Sequence, residues 1–312
     1  MTMLPAMKAL VDAMNAAGGA PDFATIGPLA GREHAAAAGG RIPAGPASVS
    51  TEDLAYPAAD GVGVHARLYR PETPAHGLVV FFHGGGWVLN SVAEYDAVCR
   101  HLAENSRCAV LSADYRRAPE HPFPTPLEDC YAATVWAAAQ APTWVGRAAP
   151  IAVAGDSAGG NLAAAVALLA KARGGPSLAA QCLIYPCTDA DFSRSSYNVF
   201  GTGAMLTASS MRWFWDQYVP TASDRTNPFA SPLRAPDLSG LPSTMVEIAE
   251  YDPVRDEGEA YAEALGRAGV ATSMRRWYGL CHGFFQLAPL IPPAMSAVRQ
   301  IARDLGLLLE TQ

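Results

Sequence analysis

Residues 150–161 read PIAVAGDSAGGN, a short apolar run that leads into a Gly-Asp-Ser-Ala-Gly turn. An alanine-rich segment from about Asn161 to Arg173 follows and predicts a helix. Strand, sharp turn and helix are the context that a G-x-S-x-G nucleophile elbow requires. Gly155 and Gly159 lack a Cβ, as a crowded turn around Ser157 demands. Taken alone, the motif fits an ordinary Gly/Ser turn equally well, so the rest of the chain must distinguish the two readings.

The composition predicts one large domain, or a domain with an appendage. The chain has 312 residues, of which 50% are hydrophobic, and this is ample for a core. Its net charge of −7, without a basic stripe, argues against nucleic acid as a partner. The six cysteines have neither C-x-x-C spacing nor the density of a disulfide scaffold, so we expect reduced thiols and a cytoplasmic protein. We find no secretory signal, and no apolar run approaches the length of a membrane span.

Strand and helix patterns alternate along most of the chain. Val49–Tyr56 and Val62–Tyr69 predict an antiparallel start to a sheet, and the apolar run Gly77–His83 predicts a strand buried on both faces. Further strands are expected at 109–114, 180–185, 244–249 and 272–277, and helices at 95–105, 126–140, 257–268 and 293–309. Such alternation implies an α/β fold, with a mostly parallel central sheet and helices on both faces.

Two segments interrupt this alternation. Residues 1–45 begin with helical spacing of apolar residues and then look loop-like, with Gly18-Gly19, Gly39-Gly40 and the prolines at 21, 28 and 43. The interval 189–241 is rich in aromatic residues and methionine, which more often reflects packing than binding. Its position between two strands would nevertheless place it over their carboxyl ends, where α/β proteins bind ligands. We predict that residues 1–45 and about 189–225 form a helical cap on a catalytic core of residues 46–312.

A nucleophilic serine needs a base, and the base needs an acid that fixes its tautomer. His282 is the only histidine after Ser157, and in this fold class the base comes last. By itself it also fits an ordinary loop histidine. Asp252 is our candidate acid because it ends an apolar strand and Pro253 extends the backbone there. Asp256 is the alternative, although it fits better as the cap of the next helix.

A second glycine-rich motif, His-Gly-Gly-Gly-Trp at residues 83–87, follows the buried strand directly. Consecutive glycines let the backbone approach a ligand closely, and Ala158 is the residue just after the nucleophile. The N–H groups of this glycine motif and of Ala158 could together form an oxyanion hole. A plain glycine turn would not explain this place in the chain. We interpret His83 as structural, orienting the loop through hydrogen bonds. No histidine pair or Cys/His cluster has metal-ligand spacing, so we expect neither a metal nor an organic cofactor.

Together these motifs resemble the hormone-sensitive-lipase-like family of α/β-hydrolase carboxylesterases, also called bacterial family IV. The resemblance covers Val49 to the C-terminus and rests on HGGGW at 83–87, DYRRAPE at 114–120, GDSAGG at 155–160, DPVRD at 252–256 and HGF at 282–284. The helical N-terminus is similar to the family's cap. Arg117 stands where the family usually has leucine, and Cys281 where larger residues are common; neither is a catalytic position.

The resemblance implies a serine carboxylesterase that cleaves short- to medium-chain acyl esters through an acyl-enzyme intermediate. It implies a catalytic triad of Ser157, Asp252 and His282. The implied oxyanion donors are the N–H groups of Gly85, Gly86 and Ala158. As candidates for an apolar acyl pocket we take Trp87, Leu206 and Trp213.

Other readings stay open at this point. An amidase or a lactonase could use the same residues, and a non-catalytic ligand receptor could share the fold, although the presence of His282 argues against the receptor. The resemblance also admits a homodimer through an edge strand, with Thr272–Trp277 as the candidate. Arg275 and Arg276 in that strand equally fit a solvated, charged edge.

Overall fold

Eight strands form one sheet within residues 2–146 and 149–311, which the computed structural model describes. They are β1 (Ser50–Pro57), β2 (Gly63–Arg70), β3 (Leu78–Phe82), β4 (Ala109–Ala113), β5 (Ile151–Asp156), β6 (Ala180–Ile184), β7 (Ser243–Tyr251) and β8 (Thr272–Cys281). Their spatial order is β1-β2-β4-β3-β5-β6-β7-β8. β1 pairs antiparallel with β2, and β2 with β4, whereas every later pairing is parallel. This confirms the mostly parallel sheet with an antiparallel start.

Helices cover both faces of the sheet. They are α1 (Pro5–Ala16), α2 (Phe23–Gly39), α3 (Asp96–Ser106), α4 (Thr125–Val145), α5 (Ala158–Arg173), α6 (Ser195–Phe200), α7 (Ala208–Tyr218), α8 (Arg255–Arg267) and α9 (Pro292–Glu310). Alternate side chains of β3 enter different cores, because successive strand residues point to opposite faces. Val79 and Phe81 pack in the core that contains α3 and α9. Val80 and Phe82 pack in the core that contains α4, α5 and α8.

The helix α2 corrects the expectation of a loop after the first helix. Asp22 caps its start by accepting a hydrogen bond from the N–H of Ala24. Gly27 has a φ of +76°, so the helix kinks there and Pro28 begins a new turn, where no N–H is needed. Of the residues that predicted a loop, Pro28 lies at this kink and Gly39-Gly40 at the C-terminal end of α2.

The segment before β1 contacts two distant parts of the chain. Phe23 of α2 packs on α7, with its ring centroid 5.7 Å from Trp213 and 5.3 Å from Phe214. Near α1, the N–H of Leu4 donates to the carbonyl oxygen of Gly279 at 2.9 Å. Met7 of α1 is buried, and its Sδ lies 3.1 Å from Sγ of Cys281. The N-terminal helices thus pack against both the inserted helix α7 and the end of β8.

All six cysteines lie within the described residues, and each is a buried free thiol. Burial raises the pKa of the Cys281 thiol to about 12, so it stays protonated and unreactive at neutral pH. Among the helices of residues 2–146 and 149–311, none combines the length and the apolar character needed to cross a bilayer.

Candidate active site

Three polar side chains meet at the carboxyl edge of the parallel strands. Ser157 lies in the turn between β5 and α5, Asp252 directly follows β7, and His282 directly follows β8. Because parallel strands end at the same edge of a sheet, residues far apart in sequence come together there. β8 is longer than the sequence predicted, and its extension to Cys281 carries His282 to this edge.

A continuous chain of hydrogen bonds joins the three residues. His282 Nε2 lies 2.8 Å from Ser157 Oγ, and His282 Nδ1 lies 2.7 Å from Asp252 Oδ2. Facing a carboxylate, Nδ1 carries the ring proton, which leaves Nε2 free to accept the serine hydroxyl proton. The other oxygen of Asp252 accepts the N–H of Val254 at 2.9 Å. Asp252 is completely buried, whereas Ser157 and His282 keep 7% and 8% of their surface exposed, so a ligand can reach only the hydroxyl end of the chain.

The turn that carries Ser157 is strained. Its φ of 57° and ψ of −120° lie in a region that residues other than glycine seldom adopt. The N–H of Ser157 donates to the carbonyl oxygen of Ile184 at 2.8 Å, which ties the turn to β6. A Cβ on Gly159 would collide with the carbonyl oxygen of Phe82, so no larger residue fits two positions after the serine. This is the geometry of a nucleophile elbow.

We call residues 83–87 the glycine loop. His83 is buried, and its Nδ1 lies 2.8 Å from the carbonyl oxygen of Gly84. Its own carbonyl oxygen accepts the hydroxyl of Tyr115 at 2.9 Å, and the two rings stack with centroids 4.4 Å apart. These contacts confirm that His83 orients the loop.

Three backbone N–H groups near Ser157 are candidates to receive negative charge. Gly85 and Gly86 line the same cleft as Ser157. Within residues 2–146 and 149–311 the N–H groups of Gly85 and Gly86 have no protein acceptor. Ala158 is the first residue of α5, where helix N–H groups are unpaired and the helix dipole is positive. The loop and the helix end therefore offer donors to an oxygen bound beside Ser157.

The cleft at Ser157 has a volume of about 160 Å³. Its apolar wall comes from α2, α7 and the segment before α7, and its polar wall from the glycine loop and the residues around His282. The lining residues are Phe23, Gly85, Gly86, Asn90, Tyr95, Asp156, Ser157, Met205, Leu206, Met211, Phe214, His282, Gly283 and Gln286.

A family model for the α/β hydrolase fold matches residues 79–286. The chain belongs to this family. Among its relatives, the carboxylic ester hydrolase LipN of Mycobacterium tuberculosis is 45% identical over 273 residues, which cover 84% of this chain and 71% of LipN. An ethyl acetate hydrolase of Pseudomonas putida is 37% identical over 78% of both chains. The crystal structure of a thermostable esterase from Pseudomonas putida has a TM-score of 0.93 and 36% identity, covering 99% of this chain and 98% of that one. These similarities confirm the resemblance to the hormone-sensitive-lipase-like hydrolases.

The structure separates the three acyl-pocket candidates of this hydrolase. Leu206 lines the cleft. Trp87 does not, because its ring is fully buried beneath α7, stacked on Tyr218 at 4.4 Å and packed edge-on to Trp215 at 4.9 Å. Among the described residues, Trp213 is also absent from the cleft lining, and its ring stacks on Phe23 with centroids 5.7 Å apart.

Met211 and Phe214 line the hydrolase cleft in place of Trp213, and the sequence contained a signal for them. Met211, Phe214, Trp215 and Tyr218 recur at intervals of three and four, which places them on one buried face of α7. Trp213 lies off that face. Helical periodicity would have been a better guide to the cleft than residue size.

The alternative acid, Asp256, has a different role in the hydrolase. It lies in the first turn of α8 and not at the capping position, and one of its oxygens accepts the N–H of Ser196 from α6 at 2.8 Å. Glu250 accepts the N–H of Gly279 at 2.6 Å, and so supports the end of β8 that precedes His282. Of these carboxylates, Asp252 is the one that contacts the histidine ring.

Proposed function

We propose that this hydrolase is a serine carboxylesterase that cleaves short- and medium-chain acyl esters through an acyl-enzyme intermediate. The chain is a carboxylic ester hydrolase, because relatives that are up to 45% identical to it carry that activity in their names. The observation that carries the proposed mechanism is the hydrogen-bonded chain from Ser157 through His282 to Asp252, opening on a cleft with unpaired N–H groups.

In the proposed reaction, Ser157 Oγ attacks the ester carbonyl carbon while His282 Nε2 takes the hydroxyl proton. The carbonyl oxygen becomes an oxyanion that accepts hydrogen bonds from the N–H groups of Gly85, Gly86 and Ala158. His282 then gives its proton to the leaving alkoxy oxygen, and the alcohol departs, leaving an acyl group on Ser157. Water repeats the sequence with His282 as base and releases the acid. Asp252 holds Nδ1–H throughout and stabilises the transient imidazolium.

The size of the cleft supports small acyl groups. A volume of about 160 Å³ is below the roughly 300–1,000 Å³ typical of sites for drug-sized ligands. Leu206, Met211 and Phe214 form its apolar wall. These side chains would bury a short acyl chain, but a long chain would require them to move.

A p-nitrophenyl ester series from acetyl to dodecanoyl tests the substrate class. We expect kcat/KM to be highest for acyl chains of two to about six carbons, because the cleft at Ser157 is small. The profile should be broad, because one methylene changes discrimination by only about 1–3 kcal/mol in an apolar pocket. Leu206→Ala should move the maximum to longer chains, whereas Val199→Ala, an exposed apolar position on α6, should not. A wild-type maximum at dodecanoyl would refute the short-chain assignment. Faster cleavage of a p-nitroanilide or a lactone of equal acyl length would assign an amidase or lactonase instead.

We also propose that residues 1–45 and about 189–225 form a cap over a core of residues 46–312. In support, Phe23 from the first segment and Met211 and Phe214 from the second line the same cleft. A cytoplasmic location is part of the proposal as well, supported by the six free thiols, since secreted domains commonly pair their cysteines.

A homodimer through β8 is our proposal for the assembly. β8 is at one end of the strand order, and Met274 on it is 48% exposed. Arg275 and Arg276 pair with Asp304 and Glu259 of the same chain, so their charges are already partnered. An edge strand with exposed apolar side chains is a ready template for pairing with a second strand.

We therefore expect light scattering to give twice the chain mass for the wild type. Met274→Lys should shift the protein toward monomer, since an edge lysine opposes strand pairing. Leu307→Lys, a control at an exposed position of α9, should leave the dimer intact. A monomeric wild type, or equal effects of the two variants, would refute the β8 interface.

A further inference from the structure

Asp156, which precedes the nucleophile, is a carboxylate that the proposed reaction does not use. It is the last residue of β5, and only 2% of its surface is exposed. Burying a carboxylate is costly unless hydrogen bonds compensate. Its partners should therefore show what it contributes.

The first partner of Asp156 is the glycine loop. Asp156 Oδ1 accepts the N–H of Gly84 at 2.9 Å. On the other side of the same residue, the carbonyl oxygen of Gly84 is held by His83, so both ends of Gly84 are fixed. A Cβ on Gly84 would lie 2.8 Å from Asp156 Oδ2, so this close approach requires glycine. Gly85 and Gly86, the proposed oxyanion donors, follow this anchored residue directly.

Two buried tyrosines are the other partners of Asp156. The hydroxyls of Tyr95 and Tyr185 donate to Asp156 Oδ2 at 2.9 and 3.1 Å. With the Gly84 N–H, the carboxylate receives three donors, which is the pattern that an ionised carboxylate requires. Burial raises the pKa of Asp156, and these donors together with the nearby His282 oppose that rise.

Tyr185 extends the network to residues 282–286, which we call the histidine loop. Its hydroxyl oxygen accepts the N–H of Phe285 at 3.1 Å. Its ring packs on the ring of His282, with centroids 4.6 Å apart. Asp156 is thus connected to the glycine loop by one hydrogen bond and to the histidine loop through one tyrosine, and it is covalently next to Ser157.

We propose that Asp156 is a positioning residue, which holds the glycine loop and the histidine loop in fixed relation to Ser157. The inference rests on the proposed function in one respect, because the three parts it aligns are the proposed nucleophile, base and oxyanion donors. Asp156 touches no reacting atom. It sets the distance and orientation of the groups that do touch reacting atoms, and this geometry matters most in the transition state.

Asp156→Asn in the full chain tests this role. An asparagine has a single acceptor oxygen, so it cannot keep all three donors. We expect kcat for p-nitrophenyl butyrate to fall by about 10- to 100-fold, which is less than the roughly 10²–10³-fold cost of losing an oxyanion donor outright. KM should change by no more than about twofold, because the groups being misaligned act mainly in the transition state. Hydrogen–deuterium exchange should rise in residues 83–87 and 282–286.

The matched control is Asp129→Asn, at another fully buried carboxylate, whose hydrogen bonds within the described residues all come from Arg116. It should lower the melting temperature and leave kcat within about twofold of the wild type. Tyr185→Phe is a second variant that removes only the hydroxyl between Asp156 and Phe285. It should lower kcat by roughly 3- to 10-fold, less than Asp156→Asn, because the bond to Gly84 remains.

These measurements separate the possible results. An unchanged kcat in Asp156→Asn, or in Tyr185→Phe should Asp156→Asn not fold, overturns the inference. A loss of kcat in Asp129→Asn equal to that in Asp156→Asn also overturns the inference. It would mean that removing any buried carboxylate lowers kcat through the stability of the fold. A folded wild type that cleaves no ester would refute the proposed function instead. In that case hydrogen–deuterium exchange still tests the positioning role of Asp156. Unchanged exchange in the glycine loop and the histidine loop of Asp156→Asn and Tyr185→Phe would overturn that role.

Discussion

Ser157→Ala is expected to lower kcat for a short-chain ester by about 10⁶-fold, the size of the loss when a serine-protease nucleophile is removed. The hydroxyl oxygen is the atom that forms the acyl-enzyme, and His282 Nε2, 2.8 Å away, has no other proton to remove. Alanine fits the space of the serine, so the fold should be retained. Residual activity would come from the oxyanion donors and from binding alone.

The measurement is kcat with p-nitrophenyl butyrate, together with labelling by a fluorophosphonate that modifies the active serine. Ser193→Ala is the control, because Ser193 is an exposed serine whose hydroxyl donates only to Asp191. His282→Ala should cost about as much as Ser157→Ala, and the double variant no more than either, because the residues act as a unit. A Ser157→Ala enzyme with activity within about tenfold of the wild type would refute the proposed nucleophile.

Much of this fold was readable from the sequence because its signals are local. Alternating apolar runs and helical periods gave the parallel sheet, and the antiparallel pair β1 and β2 followed from alternation in two short segments. The three residues of the proposed triad could be selected because each follows a strand of the same sheet. In such a sheet, order along the chain is enough to place three side chains at one edge.

The proposed cap was harder to predict from the sequence, because its structure depends on contacts between residues distant in sequence. The kink at Gly27 shows how one residue with positive φ lets a helix continue where Gly and Pro predicted a loop. Trp87 follows three glycines, two of which line the cleft, yet its ring packs beneath α7 against Trp215 and Tyr218. No local pattern distinguishes an aromatic ring that packs below a helix from one that faces a ligand.

The network around Asp156 was also beyond the reach of the sequence. Its members come from β5, the glycine loop, the segment before α3 and the ends of β6 and β8. A tyrosine hydroxyl that bonds a carboxylate 61 residues away leaves no periodic signal in the chain. Only the close approach of the folded loops shows that the residue before the nucleophile connects them.

Asp252→Asn should lower kcat by about 10⁴-fold, the cost measured when the same change is made in a serine-protease triad. The asparagine oxygen can keep the N–H of Val254, which then turns the amide NH₂ toward His282 Nδ1. Because both groups cannot donate, the ring proton moves to Nε2 and faces Ser157 Oγ. The histidine then has no lone pair with which to accept the serine proton.

Asp256→Asn is the matched control for Asp252→Asn, since it changes the rejected acid candidate in the same way. Asp256 accepts the N–H of Ser196 and pairs with the guanidinium of its neighbour Arg255. Arg255 reaches the proposed triad through its backbone N–H, which donates to the carbonyl oxygen of Asp252 at 3.2 Å and does not involve the Asp256 side chain. We expect kcat to remain within about twofold of the wild type. The melting temperature should fall, because the neutral asparagine cannot both accept the N–H of Ser196 and pair with the Arg255 guanidinium. The reverse pattern, with activity lost in Asp256→Asn and kept in Asp252→Asn, would move the acid to Asp256. Equal losses in both would mean that the loop after β7 acts through its fold, and not through a single carboxylate that orients His282.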